Sequence, residues 1–300
     1  MITIMKLATY KDGSRDGQLV VVSADLTRAH HASAIATRLQ QVLDDWNFLA
    51  PQLQDIARTL DQGKARHAFP FDPRMCMAPL PRAYRVLDAC APDDGSPGAL
   101  TWEALPGDAL GGPCEAIDGP GARGGLDFGP RLFGVLGDLP GGGRGEASAE
   151  AVRLLMLGGV WRLRAWEAVE RARGGSPVLS RPRLSFAPVA VTPDELGATG
   201  LRGQPALTVA LAVNGEARAR ATPAGAAAFS AAAGELSRTG IAQAGALLGL
   251  GPLRDADGRP VWAAQADHPL DEGDRVEAGA TDASGQDVFG ALALTVRCRD

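Results

Sequence analysis

The dipeptide Asn214-Gly215 lies between two runs, 207–213 and 216–221, and no other feature restricts the fold of this chain as sharply. Asn and Gly both tolerate positive φ, so the pair closes a two-residue turn whose twist suits antiparallel strands. A hairpin is predicted over 207–221. A second is predicted at the start, where 2–10 and 18–26 read as strands. Between them, Lys11-Asp12-Gly13-Ser14-Arg15-Asp16-Gly17 is turn chemistry throughout. The span 274–298 reads as two more strands about Asp282-Ala283-Ser284-Gly285, and 186–191 as another. Thr192-Pro193-Asp194-Glu195-Leu196 reads as a turn into a short helical piece. With 38 glycines and 5% aromatic residues, the chain favours turns and close backbone approaches over a core of large rings.

Helical periodicity is confined to a few stretches. Ile35, Leu39, Val42, Leu43, Trp46, Leu49, Leu53, Ile56 and Leu60 step by three or four residues. Pro51 predicts a break between two helices, and Gly63 predicts the C-terminal cap. The alanine-rich stretch 224–238 is predicted helical, as is 148–157, with Ser148 as N-cap to an apolar Leu-Leu-Met-Leu. Residues 91–125, rich in Gly, Pro and Asp, read as loop. Phe69-Pro70-Phe71-Asp72-Pro73 and Ala78-Pro79-Leu80-Pro81 carry four prolines that resist helix and central strand alike. The domain boundary is placed there, giving domains 1–77 and 78–300.

A net charge of -5 offers no reason to expect nucleic acid or an anionic membrane as partner. No apolar run approaches the roughly 20 residues of a membrane helix. The expected location is cytoplasmic, with Met5 an alternative start to Met1. Cys76, Cys90, Cys114 and Cys298 are scattered without CxxC spacing, which points to reduced thiols. His30 and His31 precede the first helical pattern, His67 is near the proline-rich linker and His268 is in a polar loop. None of the four makes an i,i+4 metal pair. Gly141-Gly142-Gly143-Arg144-Gly145 lacks the Lys-Ser/Thr ending of a phosphate loop and reads as a turn.

Several blocks, taken together and in order, resemble the bacterial branch of the fumarylacetoacetate hydrolase family. They are Met5-Lys6-Leu7-Ala8-Thr9-Tyr10-Lys11-Asp12-Gly13, the proline-rich segment with Arg82-Ala83-Tyr84, and Arg153-Leu154-Leu155-Met156-Leu157. Phe186-Ala187-Pro188-Val189-Ala190-Val191-Thr192-Pro193-Asp194-Glu195-Leu196-Gly197, Gly273-Asp274-Arg275-Val276 and Val288-Phe289-Gly290-Ala291 complete them. The resemblance implies an α+β fold, with a small N-terminal domain and a C-terminal mixed β-roll or β-sandwich. It also implies a homodimer, a role in aromatic catabolism, and Mg²⁺-dependent hydrolysis of carbon–carbon bonds in acylpyruvate-like diketo acids.

The residues expected to carry that chemistry depart from the family's pattern. A hard divalent ion takes carboxylate oxygens. The resemblance puts two glutamates in an Asp-Phe-Glu-x-Glu strand, and here the strand reads Asp127-Phe128-Gly129-Pro130-Arg131. A further aspartate is expected where Val160 stands, and a lysine where Arg181 stands in Ser180-Arg181-Pro182. Arg181 keeps the charge, but a planar guanidinium does not reproduce an ammonium. The segment from Val86 to Leu110 holds no histidine, and Gly249-Leu250-Gly251-Pro252 lacks the hydroxyls of a substrate-orienting loop.

The expectation is therefore a family protein with no resident cofactor, Mg²⁺ or another divalent ion entering only if other ligands complete a site. It is expected to be catalytically impaired and to act as a non-catalytic homologue or as a partner subunit of an active relative. The alternative is an active hydrolase, decarboxylase or isomerase with a rebuilt, metal-independent site, its candidate catalytic residues being Arg181, Asp127 and Glu170 (all three in the C-terminal part). Arg131 and Arg181 are the candidate binders of a small carboxylate ligand, since guanidinium forks match carboxylates.

Overall fold

The computed structural model describes residues 5–90, 100–142, 150–196, 207–222, 229–265 and 267–298. Strands β1 (Lys6–Tyr10) and β2 (Gln18–Val22) form the opening hairpin, and β3 (Arg28–His31) returns beside β2. Residues 2–4 of the expected first strand lie outside the described residues. His30 and His31 belong to β3. Two helices follow, α1 (Leu39–Asp44) and α2 (Trp46–Asp61). The break between them is at Asp45, whose φ of -132° and ψ of 51° leave the helical region, and not at Pro51. Pro51 sits inside α2 on the solvent side, and so does residue 47, whose carbonyl loses its helical donor. Water can satisfy that carbonyl, so the proline is tolerated. Gly63, at φ +69°, ends the helix as expected.

The chain then runs through β4 (Phe69–Pro70), β5 (Val86–Cys90), β6 (Thr101–Leu105), β7 (Leu110–Gly111), β8 (Ile117–Gly119) and the short α3 (Gly121–Gly124). The expectation of loop over 91–125 is thus corrected for its described part, with 91–99 outside the described residues. These strands have two to five residues and three of them lie at sheet margins, so their apolar alternation is too brief to read. Two long strands come next, β9 (Leu126–Leu136) and β10 (Val152–Leu163), then α4 (Arg164–Ala172) and β11 (Leu184–Val191).

The helix expected over 148–157 is a strand from Val152 onward, with Ser148 outside the described residues. β10 is bonded to β9 on one side and β11 on the other, and almost every residue is buried. A strand covered on both faces is a continuous apolar run, which a buried helix mimics. Gly158 and Gly159 show why a strand is required here. A side chain at Gly158 would meet the Phe186 ring at 2.6 Å, and one at Gly159 would overlap the Phe128 ring. Gly159→Ala is expected to lower stability by about 1–3 kcal/mol through overpacking, read as a fall in the urea midpoint. An unchanged midpoint would show that the Phe128 ring has room to move.

The remaining strands are β12 (Leu207–Val213), β13 (Glu216–Ala221), β14 (Leu247–Gly249), β15 (Arg275–Asp282) and β16 (Leu292–Cys298), with α5 (Phe229–Thr239) between β13 and β14. The Asn214-Gly215 hairpin is as expected, with φ of 55° and 80° at the two turn residues. The helix expected from 224 is described only from Phe229, since 223–228 lie outside the described residues, as do 143–145 of the glycine-rich stretch. One sheet of eleven strands runs β4-β3-β2-β1-β11-β10-β9-β14-β5-β6, with β7 beside β11. A second runs β13-β12-β15-β16-β8.

The large sheet is covered on both faces. Phe128, Trp161, Val189 and Val191 pack with Leu211, Val276 and Leu294 of the second sheet. On the other face Leu7, Val21, Met156 and Phe186 pack with Leu39, Val42 and Leu53 of α1 and α2. β1 joins the C-terminal strands directly through β11, pairing Lys6 with Val191. Lys6 is fully buried and donates from Nζ to Val288 O at 2.8 Å while pairing with Glu195 at 3.1 Å. All four cysteines are free. Among the described residues, no helix is long and apolar enough to cross a membrane.

Candidate functional site

Strands β9 and β10 place the candidate residues. Alternate residues share a face, so Asp127, Gly129 and Arg131 lie together on β9. The antiparallel register sets Arg162, Val160 and Gly158 of β10 directly opposite them in that order. Gly129, Arg131 and Val160 are therefore brought together. They do not play similar parts: Val160 is fully buried in the apolar cluster of Leu184 and Phe186, whereas Arg131 lines a cavity of about 830 Å³. Arg162, Arg181, Cys90, Trp102 and Trp262 line the same cavity.

Each guanidinium on this face has a carboxylate partner. Arg131 donates from Nε to Asp88 Oδ2 at 2.7 Å and from Nη1 to Gly129 O at 3.1 Å. Both charged side chains are almost wholly buried. Asp88, on β5, also accepts from Gly251 N–H at 2.7 Å, so the loop expected to orient substrate gives its amide to this ion pair. Arg162 donates to Asp127 Oδ2 from Nη2 at 2.8 Å and from Nε at 3.1 Å. Asp127 Oδ1 accepts from the N–H groups of Phe128 and Ala264, each at 2.8 Å. Burial pushes the Asp127 carboxyl up, against the opposing pull of Arg162 and the two amides. Burial also pulls the Arg162 guanidinium down, against Asp127.

Trp262 closes the arrangement. The guanidinium carbon of Arg162 lies 3.3 Å from the Trp262 ring centroid and that of Arg131 lies 5.4 Å away. The indole rests over Gly129, where a Cβ would be 2.6 Å from its Cζ3. A glutamate restored at 129 would have to displace this ring.

Arg181, in the segment before β11, donates from Nη1 to Glu167 Oε2 at 2.9 Å and from Nη2 to Glu167 Oε1 at 3.1 Å. Glu103 Oε2 is 3.5 Å from Nη2. Its Nε is buried with no hydrogen-bond partner among the described residues. Burial would lift the Glu167 carboxyl from its ordinary 4.5, but hydrogen bonds and charge from Arg181, then Arg171 and Arg162, outweigh it and hold it at about 2. A glutamate held below its unfolded value stabilises the fold above about pH 4.5 and loses that contribution as pH falls toward 2. The stability gap between wild type and Glu167→Gln, measured by urea unfolding, is expected to close across that window. A gap that widens on acidification would contradict the pairing.

Glu170 is spent elsewhere. Its carboxylate accepts from the N–H groups of Val178, Leu179 and Ser180, and from Ser180 Oγ at 2.5 Å. The Ser180 contacts, then the backbone amides, hold it at about 2. Neither Glu170 nor Asp127 lines the cavity. Of the tryptophans beside Arg162, Trp161 is fully buried on the opposite face against Phe128, and Trp166 of α4 is about half exposed.

Sequence reasoning missed Asp88, Glu103, Glu167 and Trp262. Their only signal is tertiary, because they come from β5, β6, α4 and a loop near 262. The donor set does not fit a divalent ion. Such an ion takes several hard oxygens at about 2.0–2.6 Å. Here Asp88 and Asp127 are each held by an arginine, and an indole covers the glycine between them. Among the described residues, no three His, Cys, Asp or Glu side chains converge.

Residues 5–82 match the family described as Fumarylacetoacetase N-terminal domain 2. The whole chain superimposes on a probable 2-hydroxyhepta-2,4-diene-1,7-dioate isomerase from Mycobacterium abscessus, with a TM-score of 0.75, 16% identity and 100% of each chain covered. The fold is that of the fumarylacetoacetate hydrolase family. Maleylpyruvate hydrolase from Sphingobium sp. SYK-6, solved in complex with manganese(II) and pyruvate, is 18% identical with a TM-score of 0.71. That likeness covers 99% of this chain and 100% of the other. Fumarylacetoacetate hydrolase from Exiguobacterium antarcticum is 19% identical with a TM-score of 0.69, over 98% of this chain and 100% of the other. No curated protein matches significantly in sequence. The α+β class expected from the resemblance is thus the fold observed. Within this fumarylacetoacetate hydrolase fold, β9 and β10 carry Arg131 and Arg162 on the face expected to hold metal ligands.

Proposed function

We propose that this chain is a non-catalytic protein of the fumarylacetoacetate hydrolase fold, which binds a small anionic ligand where relatives would hold a metal and substrate. The carrying observation is the buried Arg131–Asp88 pair with Trp262 seated over Gly129. At an effective dielectric near 20, two unit charges about 4 Å apart interact by about 4 kcal/mol, and a divalent ion facing Arg131 would be repelled by about twice that before the opposing pull of Asp88 is counted. Mg²⁺ or Mn²⁺ is therefore expected to give no heat of binding in calorimetry. Pure protein is expected to leave the absorbance of an acylpyruvate unchanged with either ion. Metal-dependent loss of that absorbance would overturn the proposal.

A second reading, an active enzyme with a rebuilt site, draws on the cavity joining Arg131 and Arg181. It lacks a positioned base among the candidates named from sequence. Asp127 is tied to Arg162 and two amides, and Glu170 accepts four hydrogen bonds outside the cavity. Glu167, which does line the cavity, is held at about 2 and is a poor proton acceptor at neutral pH. The proposed assembly is a cytoplasmic homodimer, or a heteromer with an active relative. Light scattering of the pure protein at twice the chain mass supports the first form, and a monomer that doubles only with a relative supports the second.

A further inference from the structure

We propose that Arg131, Arg162 and Arg181 form a metal-free receptor for a doubly charged oxyanion. The inference rests on the reading that the site takes no metal, and adds the charge class of its ligand and the groups that hold it. The three guanidiniums line one cavity and none is fully used by the protein. Nη2 of Arg131 and Nη1 of Arg162 make no hydrogen bond to any described residue. Arg181, only 4% exposed, keeps a buried Nε without a partner among the described residues. An unpaired buried donor is costly, and an acceptor brought to it recovers free energy.

Double charge follows from the arrangement of the cations. Arg131 and Arg162 both rest against the Trp262 ring, so two like charges are held close together. Their partners Asp88 and Asp127 are buried and do not line the cavity, whereas Glu167 and Glu103, which pair with Arg181, do line it, so the open anion-facing donors are those of Arg131 and Arg162. An anion with one carboxylate supplies acceptors to the open N–H groups of only one guanidinium. An anion with two charges, as a pair of carboxylates or as a phosphate, supplies acceptors to both. Trp102 and Trp262 supply the apolar part of the wall.

The test is calorimetric titration of the full chain in EDTA with oxalate, inorganic phosphate and acetate. Oxalate or phosphate is expected to bind with a dissociation constant below about 1 mM, and acetate about tenfold more weakly or worse. Adding Mg²⁺ in place of EDTA is expected to change neither value. Arg162→Gln is expected to weaken dianion binding about tenfold, the loss of one charged hydrogen bond. Arg58→Gln, an exposed change on α2, is expected to leave it unaltered. If Arg162→Gln loses its melting transition, the selectivity for dianions and the indifference to Mg²⁺ of the wild-type protein decide alone. No heat with either dianion up to about 10 mM, a requirement for Mg²⁺, or acetate binding as tightly as oxalate overturns the receptor. Absence of binding leaves the non-catalytic reading standing. Metal-dependent turnover alongside EDTA-insensitive binding removes that reading and leaves the receptor.

Discussion

Arg131→Met is expected to destabilise the protein by about 3–5 kcal/mol, the cost of leaving a buried charge without its partner. Asp88 is fully buried, and without Arg131 its carboxylate keeps, among the described residues, only the Gly251 amide and a long contact of 3.7 Å from Cys90 Sγ. The effect follows from desolvation more than from the lost attraction. Asp88→Asn in the same chain therefore restores most of the loss, because a neutral amide needs no counter-charge. Urea unfolding at neutral pH of the two single variants and the double variant measures both halves. Equal stability of Arg131→Met and wild type would mean that Asp88 is not buried as described. A double variant no better than Arg131→Met would place the cost in lost packing against Trp262.

Trp161→Ala is expected to cost about 3–5 kcal/mol, the range for truncating a buried aromatic. Trp161 is fully buried, its ring 4.9 Å from that of Phe128, and its Nε1 donates to Ser185 Oγ at 3.0 Å. The side chain belongs to the interface between the two sheets and has no contact with the cavity. Trp161→Phe keeps much of the volume and removes the donor, so a smaller loss of about 1–2 kcal/mol is expected. Thermal and urea unfolding of both variants give the comparison. Anion binding by the folded fraction is expected to persist in each. A Trp161→Phe loss equal to that of Trp161→Ala would assign the energy to the hydrogen bond and not to the ring.

Much of the scaffold was legible before any coordinate. Asn214-Gly215, the turn ahead of Gln18, Gly63 and Asp282–Gly285 act on their immediate neighbours, so local chemistry is enough to specify them. The segments that depart from expectation do so for separate physical reasons. Residues 152–163 form a strand covered on both faces, so apolar periodicity was absent where it would have separated strand from helix. Pro51 was read as a break because sequence shows the missing donor but not the solvent that satisfies the carbonyl it frees.

The candidate site divides in the same way. Sequence alone determined that Gly129, Arg131 and Val160 stand where a resemblance expects carboxylates, since they follow from position along the chain. It also marked Arg181. What replaces the missing ligands was decided only in three dimensions. Arg131 finds Asp88 across 43 residues, Arg162 finds Asp127 across 35, and Trp262 covers Gly129 from a distant loop. Those pairings depend on strand register and on which charges are removed from water together. Neither quantity is carried by neighbours in the sequence, and both are set when the two sheets and the helices close over β9 and β10.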